Sequence, residues 1–169
     1  MKTVVLGSGS WGSALAIMMA KMGHDVSLWS AFSQEAEQLR QNRKSPFLDG
    51  VEYPESVNIT NDISVVSGAD AVLLATPSFA VRETAKKLYS VLDNKSIIVS
   101  AAKGIENETS MRLSEIIIQE TKSKCPVVAL SGPSHAEEVS KGIPTGCVSA
   151  SIDRDAALMV QEMLMNPVF

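Results

Sequence analysis

The residues best suited to chemistry lie in three short stretches: Gly7-Ser8-Gly9-Ser10-Trp11-Gly12, Ala102-Lys103-Gly104-Ile105-Glu106 and Ser131-Gly132-Pro133-Ser134-His135-Ala136. In the first, Gly7, Gly9 and Gly12 have Gly-x-Gly-x-x-Gly spacing between an apolar β-branched run, Lys2–Leu6, and a small-residue run ended by Gly23. Set between a strand and a helix, that spacing suits a dinucleotide pyrophosphate. The first glycine allows the sharp turn, the second lets phosphates approach the backbone, and the third lets the helix pack close to the sheet. Free N–H groups and the positive end of the helix dipole complete the anion site. The bland alternative is a glycine turn in an ordinary strand–helix unit. Trp11, bulky for such a loop, is placed either to pack on a cofactor or to plug the sheet edge.

Lys103 is the one cation among these stretches. Its ammonium can meet a nicotinamide ribose, a substrate hydroxyl or a phosphate, against the simpler reading of a solvated surface lysine. Gly132 and Ser134 offer backbone N–H groups and a hydroxyl suited to an oxyanion or polyol; an ordinary serine-capped turn is the alternative. His24 falls in a turn at the opposite end of the sheet and reads as a surface residue. His135 lies near the site, but no carboxylate partner can be assigned to it. No Cys, His or Asp spacing suggests a metal ligand set.

These stretches need a scaffold that brings them to one edge. Apolar strands are expected at Lys2–Leu6, Asp25–Trp29, 57–60, 70–76, 96–101, 126–130 and 145–150. Helices are expected at 13–22, 34–41 with Ser33 as N-cap, 77–92, 107–121, Ala136–Ser140 and 153–164 with Asp153 as cap, with a short helical turn at 61–67. Within these, Val81, Ala85, Leu88 and Leu92 share one face, as do Met111, Ser114, Ile117 and Ile118. Such alternation predicts an α/β fold, a Rossmann-type doubly wound, mostly parallel sheet with helices on both faces and right-handed crossovers. In such a sheet ligands sit outside the carboxyl ends of the strands. The acid that often ends the second strand and holds the ribose 2′-OH is missing: Trp29 is followed by Ser30-Ala31-Phe32-Ser33, and the first carboxylate is Glu35. No arginine stands there for a 2′-phosphate either, since Arg40, Arg43 and Lys44 come later. Ser30 and Ser33 suit either ribose form, and Phe32 is placed to wall the adenine pocket. Glu35 and Glu37 are favourable acids in the first turns of the helix that follows. The loop 42–54, punctuated by Pro46, Gly50 and Pro54, is long and equally consistent with a functional loop or a surface excursion.

The 169 residues suffice for a real core and are read as one dinucleotide-binding domain, 1–169. Hydrophobic content of 45%, charged content of 20% and mean hydropathy of +0.10 exclude a disordered chain. A net charge of −4 and an isoelectric point near 5.2 argue against nucleic acid or an anionic membrane as partner. No apolar run approaches the roughly 18 residues of a membrane span, and no signal segment leads the chain. Cys125 and Cys147, each beside an apolar run, are expected as reduced, buried thiols of a cytosolic protein. The closing Val168-Phe169 reads as the start of a further strand, hence as a chain cut short of a following domain.

Taken together, Gly7-Ser-Gly-Ser-Trp-Gly-Ser-Ala-Leu-Ala16, Ala102-Lys-Gly-Ile-Glu106 and Leu130-Ser-Gly-Pro-Ser-His-Ala136 resemble the bacterial NAD(P)-dependent glycerol-3-phosphate dehydrogenases across essentially the whole chain. The resemblance implies a cytoplasmic oxidoreductase that moves hydride between NADH or NADPH and dihydroxyacetone phosphate, giving sn-glycerol 3-phosphate for phospholipid synthesis. It implies cofactor contacts for Ser10, Trp11 and, through its backbone, Ala136, substrate contacts for Gly132 and Ser134, and both for Lys103. Ala31 departs from the arginine or histidine the family often carries. The resemblance also implies that no catalytic residue lies in this chain, the proton-acceptor lysine and phosphate-gripping residues belonging to a helical domain beyond Phe169. The expectation is therefore a chain that binds cofactor and is nearly inactive alone; a homodimer is one form open to the full-length family protein. Two other readings stand beside it: a 6-phosphogluconate or 3-hydroxyacid type of two-domain dehydrogenase, and a non-catalytic nucleotide-sensing module.

Overall fold

The computed structural model describes residues 1–169. Seven strands form one sheet: β1 (Lys2–Leu6), β2 (Asp25–Trp29), β3 (Asn58–Thr60), β4 (Ala71–Leu74), β5 (Ile97–Ser100), β6 (Val127–Ser131) and β7 (Val148–Ala150). Their order is β3-β2-β1-β4-β5-β6-β7, parallel throughout except that β7 runs antiparallel to β6. The chain leaves β1 towards β2 on one side and returns to pair β4 on the other, which makes the carboxyl ends of β1 and β4 the switch point of the sheet.

Six helices cover the two faces: α1 (Ser10–Lys21), α2 (Ser33–Asn42), α3 (Val81–Leu88), α4 (Leu113–Glu120), α5 (Ala136–Ser140) and α6 (Arg154–Leu164). Because strand side chains alternate, Val5 and Val99 point into one core with α1, α2, α5 and α6. Val4, Leu6 and Ile98 point into the other, with α3 and α4. α1 is buried along Gly12 to Met19, so the small-residue run is a helix wedged into the larger core rather than an amphipathic surface helix. No helix is long and apolar enough to cross a membrane.

Several boundaries differ from the sequence reading, each for a local reason. α1 begins at Ser10, directly after Gly9. α2 begins at Ser33 itself, so Phe32 is its N-cap and no side chain caps it. Asp153 does cap α6, its Oδ1 accepting from the Ala156 N–H at 3.0 Å. The expected helix over 107–121 starts only at Leu113. Before it, Ser110 takes a left-handed φ of 59° and Ile105 bridges Arg112, which turns the chain instead. The buried face of α4 is Leu113, Ile116 and Ile117, while Ile118 is exposed and Met111 lies before the helix. α3 stops at Leu88, leaving Leu92 buried on the turn that follows. The strand expected at 145–150 pairs only from Val148.

Val168 and Phe169 close a turn, with Asn166 N–H bonded to the Phe169 carbonyl, and are not strand. Cys125 is buried and its thiol pKa is pushed up by that burial, but Cys147 is only half-buried; both thiols are free. His24 is not a plain surface residue: it is half-buried and its Nε2 sits 3.0 Å from the Met163 carbonyl, joining the α1–β2 turn to α6.

Candidate functional site

At the switch point a cleft of about 510 Å³ opens over the carboxyl ends of β1, β2, β4 and β5. Its floor is the glycine loop. Gly7 has φ +115°, and a Cβ there would lie 2.8 Å from the Ala75 carbonyl oxygen, so the turn out of β1 requires glycine. A Cβ on Gly12 would collide with the Gly7 carbonyl oxygen, which is the close packing of helix on strand. A Cβ on Gly9 would meet nothing within 4 Å. The open space therefore lies against the middle glycine, where a phosphate would need it.

The N–H groups of the first turn of α1 have no intrahelical partner, the first turn holds no acid, and Lys21 stands in the last turn. The positive end of the dipole thus favours an anion at the loop, while Lys21 complements the negative end. Ser13 locks this arrangement by donating to the Ser8 carbonyl at 3.0 Å and sharing a 2.7 Å hydrogen bond with the Tyr53 hydroxyl. That hydrogen bond ties the long loop to α1 and brings Phe47 to the cleft wall. Burial pushes the Tyr53 phenol above its ordinary pKa, keeping it neutral there.

Trp11 braces the edge of the sheet and also lines the cleft. Its Nε1 donates to the Ala101 carbonyl at 2.9 Å, bracing α1 against the end of β5, and its ring lines the cleft. Lys103, exposed, holds its Nζ 5.2 Å from the Trp11 ring centroid and donates to Ser134 Oγ at 3.1 Å. That hydrogen bond joins two of the three stretches, and it is the side-chain link between the β5 and β6 ends. The loop carrying Lys103 is anchored in turn by Arg82 of α3, which pairs with Glu106 at 2.7 Å and with Glu120. The guanidinium and the Thr109 hydroxyl hold the Glu106 carboxyl down at about 2.

Other sequence candidates are placed less directly. Phe32 and Phe79 are exposed on the cleft rim, and Ser10 lines its floor. Ser134 is buried, and Ala136 is buried as the first residue of α5, beside the cleft rather than in its lining. Gly132 has a structural reason of its own, since a Cβ there would strike the Gly146 carbonyl. Ser30 is fully buried and donates to Glu35, so it is not free for a ribose. Ser33 is exposed outside the cleft lining, and His135 is exposed at the N-cap of α5.

Three polar residues of the cleft lining lie outside the motifs that mark the site in the sequence, Glu35, Thr76 and Thr84, the last with its hydroxyl donating to the Ala80 carbonyl at 2.8 Å. Glu35 has the sequence signature of a favourable acid at the start of α2 and no more. The fold turns it into the cleft, where its Oε2 accepts from Ser8 at 2.8 Å and from Ser30. Thr76 lines the cleft with a buried Oγ1 that has no hydrogen-bond partner. The signal for Thr76 is its place just after β4, a strand end at the switch point once the strand order is known.

Comparison with known proteins decides what kind of Rossmann fold this is. Residues 2–157 match the family described as NAD-dependent glycerol-3-phosphate dehydrogenase N-terminus. The chain belongs to that family. It is 44% identical over 171 residues to the glycerol-3-phosphate dehydrogenase (NAD(P)+) of Fusobacterium nucleatum, covering 99% of this chain and 51% of that protein. To the protein of the same name from Desulfitobacterium hafniense it is 45% identical, over 99% of this chain and 48% of that one. The crystal structure of glycerol-3-phosphate dehydrogenase from Coxiella burnetii superposes with a TM-score of 0.92 at 29% identity, over 99% of this chain and 52% of that chain. This member of the family thus spans about half the length of the curated relatives it matches.

Proposed function

We propose that residues 1–169 form the nicotinamide dinucleotide-binding domain of a cytoplasmic glycerol-3-phosphate dehydrogenase. The reaction served is the interconversion of dihydroxyacetone phosphate and sn-glycerol 3-phosphate, feeding phospholipid synthesis. The observation that carries the reading is one edge of the sheet: the open space against Gly9 and Lys103, which is hydrogen-bonded to the buried Ser134, face the same cleft. The residues present suit a dinucleotide, since the unpartnered Thr76 hydroxyl and the orphan N–H groups of the α1 first turn both await an acceptor.

In this reading Ser10, Trp11 and Gly12 offer backbone N–H groups to the pyrophosphate, with Gly7 and Gly9 shaping the approach. Phe32 walls the adenine, and the Ala136 backbone meets the cofactor at the β6 end. The bound cofactor supplies the hydride. Lys103, with its ammonium held between Trp11 and Ser134, orients the substrate oxygen, and Gly132 and Ser134 complete its polar cradle. A carbonyl that accepts hydride also needs a proton delivered to its oxygen. No group of this chain takes that role in the proposal; the proton-transferring lysine and the residues gripping the substrate phosphate belong to the half of the relatives' length that these 169 residues do not span.

The test is to follow NADH binding and dihydroxyacetone-phosphate-dependent NADH oxidation with the same 169-residue protein. Saturable binding with turnover at background is the expected result. Substantial turnover would refute the assignment of the proton step elsewhere, and absence of binding would refute the domain's function.

A further inference from the structure

We infer that Glu35 reads the 2′-position of the adenosine ribose and makes this domain select NAD(H) over NADP(H). The inference rests on the cofactor reading above and concerns the discrimination that a name covering both cofactors leaves open.

The charged residues lining the cleft are Lys103 and Glu35, at its two ends. Lys103 stands at the end of β5 beside Ser134, where the reacting end of a dinucleotide belongs. Glu35 stands beyond β2, where the adenosine ribose of a dinucleotide crosses the sheet edge. The usual acid at the end of β2 is absent, but Glu35 reaches the same place from the first turn of α2. It does not swing freely. Ser8 Oγ donates to Oε2 at 2.8 Å and the buried Ser30 Oγ donates to the same oxygen. Both bonds load Oε2, so Oε1 is the oxygen left to accept from a ligand. A vicinal ribose diol supplies the matching donors, and a carboxylate held in place accepts them as charge-assisted hydrogen bonds.

A 2′-phosphate meets the opposite situation. It would bring negative charge against a carboxylate, and the one cation that lines a cavity with Glu35, Lys44, faces Glu52 instead. The candidate cations nearby are committed elsewhere. Arg40 pairs with Glu37 at 2.7 Å, Lys44 pairs with Glu52 at 3.3 Å, and Arg43 is folded back onto the Val57 carbonyl at 3.1 Å and that of Pro54. The two positions that follow Ser30 are Ala31 and Phe32, whose side chains offer a phosphate no donor or charge. Ser8 and Ser30, whose hydroxyls could otherwise donate to a phosphate, direct them to Glu35. The site therefore both attracts one ribose form and repels the other, which is how specificity is commonly built.

The test compares NADH and NADPH titrations of the wild-type protein, Glu35→Gln and Ala31→Arg, read by quenching of Trp11 and Trp29. Wild type is expected to prefer NADH by about tenfold or more, the scale of one charge-assisted hydrogen bond made or opposed. Glu35→Gln should weaken NADH, strengthen NADPH and bring the ratio close to one. Ala31→Arg, on an exposed position that leaves Glu35 in place, should raise NADPH affinity alone. A purely structural role for Glu35 would instead lower both affinities together and leave the ratio unchanged. That result, or a wild type that binds NADPH as well as NADH, would overturn the inference while leaving the cofactor reading intact. Binding of neither cofactor would overturn both.

Discussion

Two methyl groups, added at Gly9 and at Gly12, separate the folding role of the glycine loop from its binding role. At Gly12 the new Cβ is driven into the Gly7 carbonyl oxygen and within 3.4 Å of the Ala75 side chain. The obstacle is backbone, so no side-chain rotation relieves it. Overpacking of this kind costs about 1–3 kcal/mol, offset by at most about 1 kcal/mol of helix propensity when glycine becomes alanine. With the clash at its firmest the net loss is about 2–3 kcal/mol, a fall in Tm of roughly 4–12 °C for a chain of this size. At Gly9 the same methyl meets no atom within 4 Å, and φ of −66° with ψ of −179° is open to any residue. Stability should change by less than about 1 kcal/mol, the scale of a modest N-cap difference. The methyl does, however, fill the space a pyrophosphate needs, so NADH affinity should fall by roughly tenfold or more. Thermal unfolding by circular dichroism and NADH titration by fluorescence read the two effects separately. A Gly9→Ala protein that binds NADH as tightly as wild type would refute the pyrophosphate placement, and a Gly12→Ala protein with unchanged Tm would refute the packing argument.

Other outcomes follow from the same geometry. Lys103→Ala removes an exposed ammonium and should leave Tm nearly unchanged while weakening NADH by roughly tenfold, checked by the same titration. Trp11→Phe leaves the Ala101 carbonyl without its indole donor and should lower stability by about 1–2 kcal/mol, seen as a lower denaturant midpoint at unchanged slope. The Glu106 carboxyl titrates at about 2 when folded, below its ordinary 4.5, because Arg82 and Thr109 hold its charged form. A depressed folded value means that this stabilisation is complete above 4.5 and is lost as pH falls from there through about 2. Wild-type Tm should therefore drop across that window more steeply than that of Glu106→Gln, which lacks the titrating group.

Much of this fold is legible in the sequence because the parallel strands are continuous apolar runs with turn residues between them. Val4, Val5, Leu6, Val72 and Leu73 are buried whichever face they take, so their runs announce a two-sided sheet. Gly7 and Gly12 announce the loop because a Cβ at either would strike the backbone, and Gly9 leaves the space between them open. Helix starts are less legible. Residues 107–112 mix Glu108, Met111 and Arg112 with the poorer helix formers Asn107, Thr109 and Ser110, and the capture of Glu106 by Arg82 and the left-handed Ser110 hold them in a turn until Leu113. The cleft's walls are the least legible part. Glu35, Thr76 and Phe79 belong to no motif, and they share the cleft only because β2, β1 and β4 are neighbours in the sheet. Strand order is a long-range property, and no local pattern around Thr76 states it.

The central claim is that the cleft at the carboxyl ends of β1 and β4 binds the dinucleotide. A second apolar cavity, about 330 Å³ between the later turns of α1, α5 and Phe169, provides an internal control towards the opposite edge of the sheet. The most direct measurement is an NADH titration followed by backbone amide chemical shifts across the whole chain. Saturable shifts should concentrate at Gly7–Gly12, Glu35, Thr76, Phe79 and Lys103, with Met22, Ile143 and Phe169 unmoved. Shifts confined to the second cavity, or none at saturating NADH, would contradict the account.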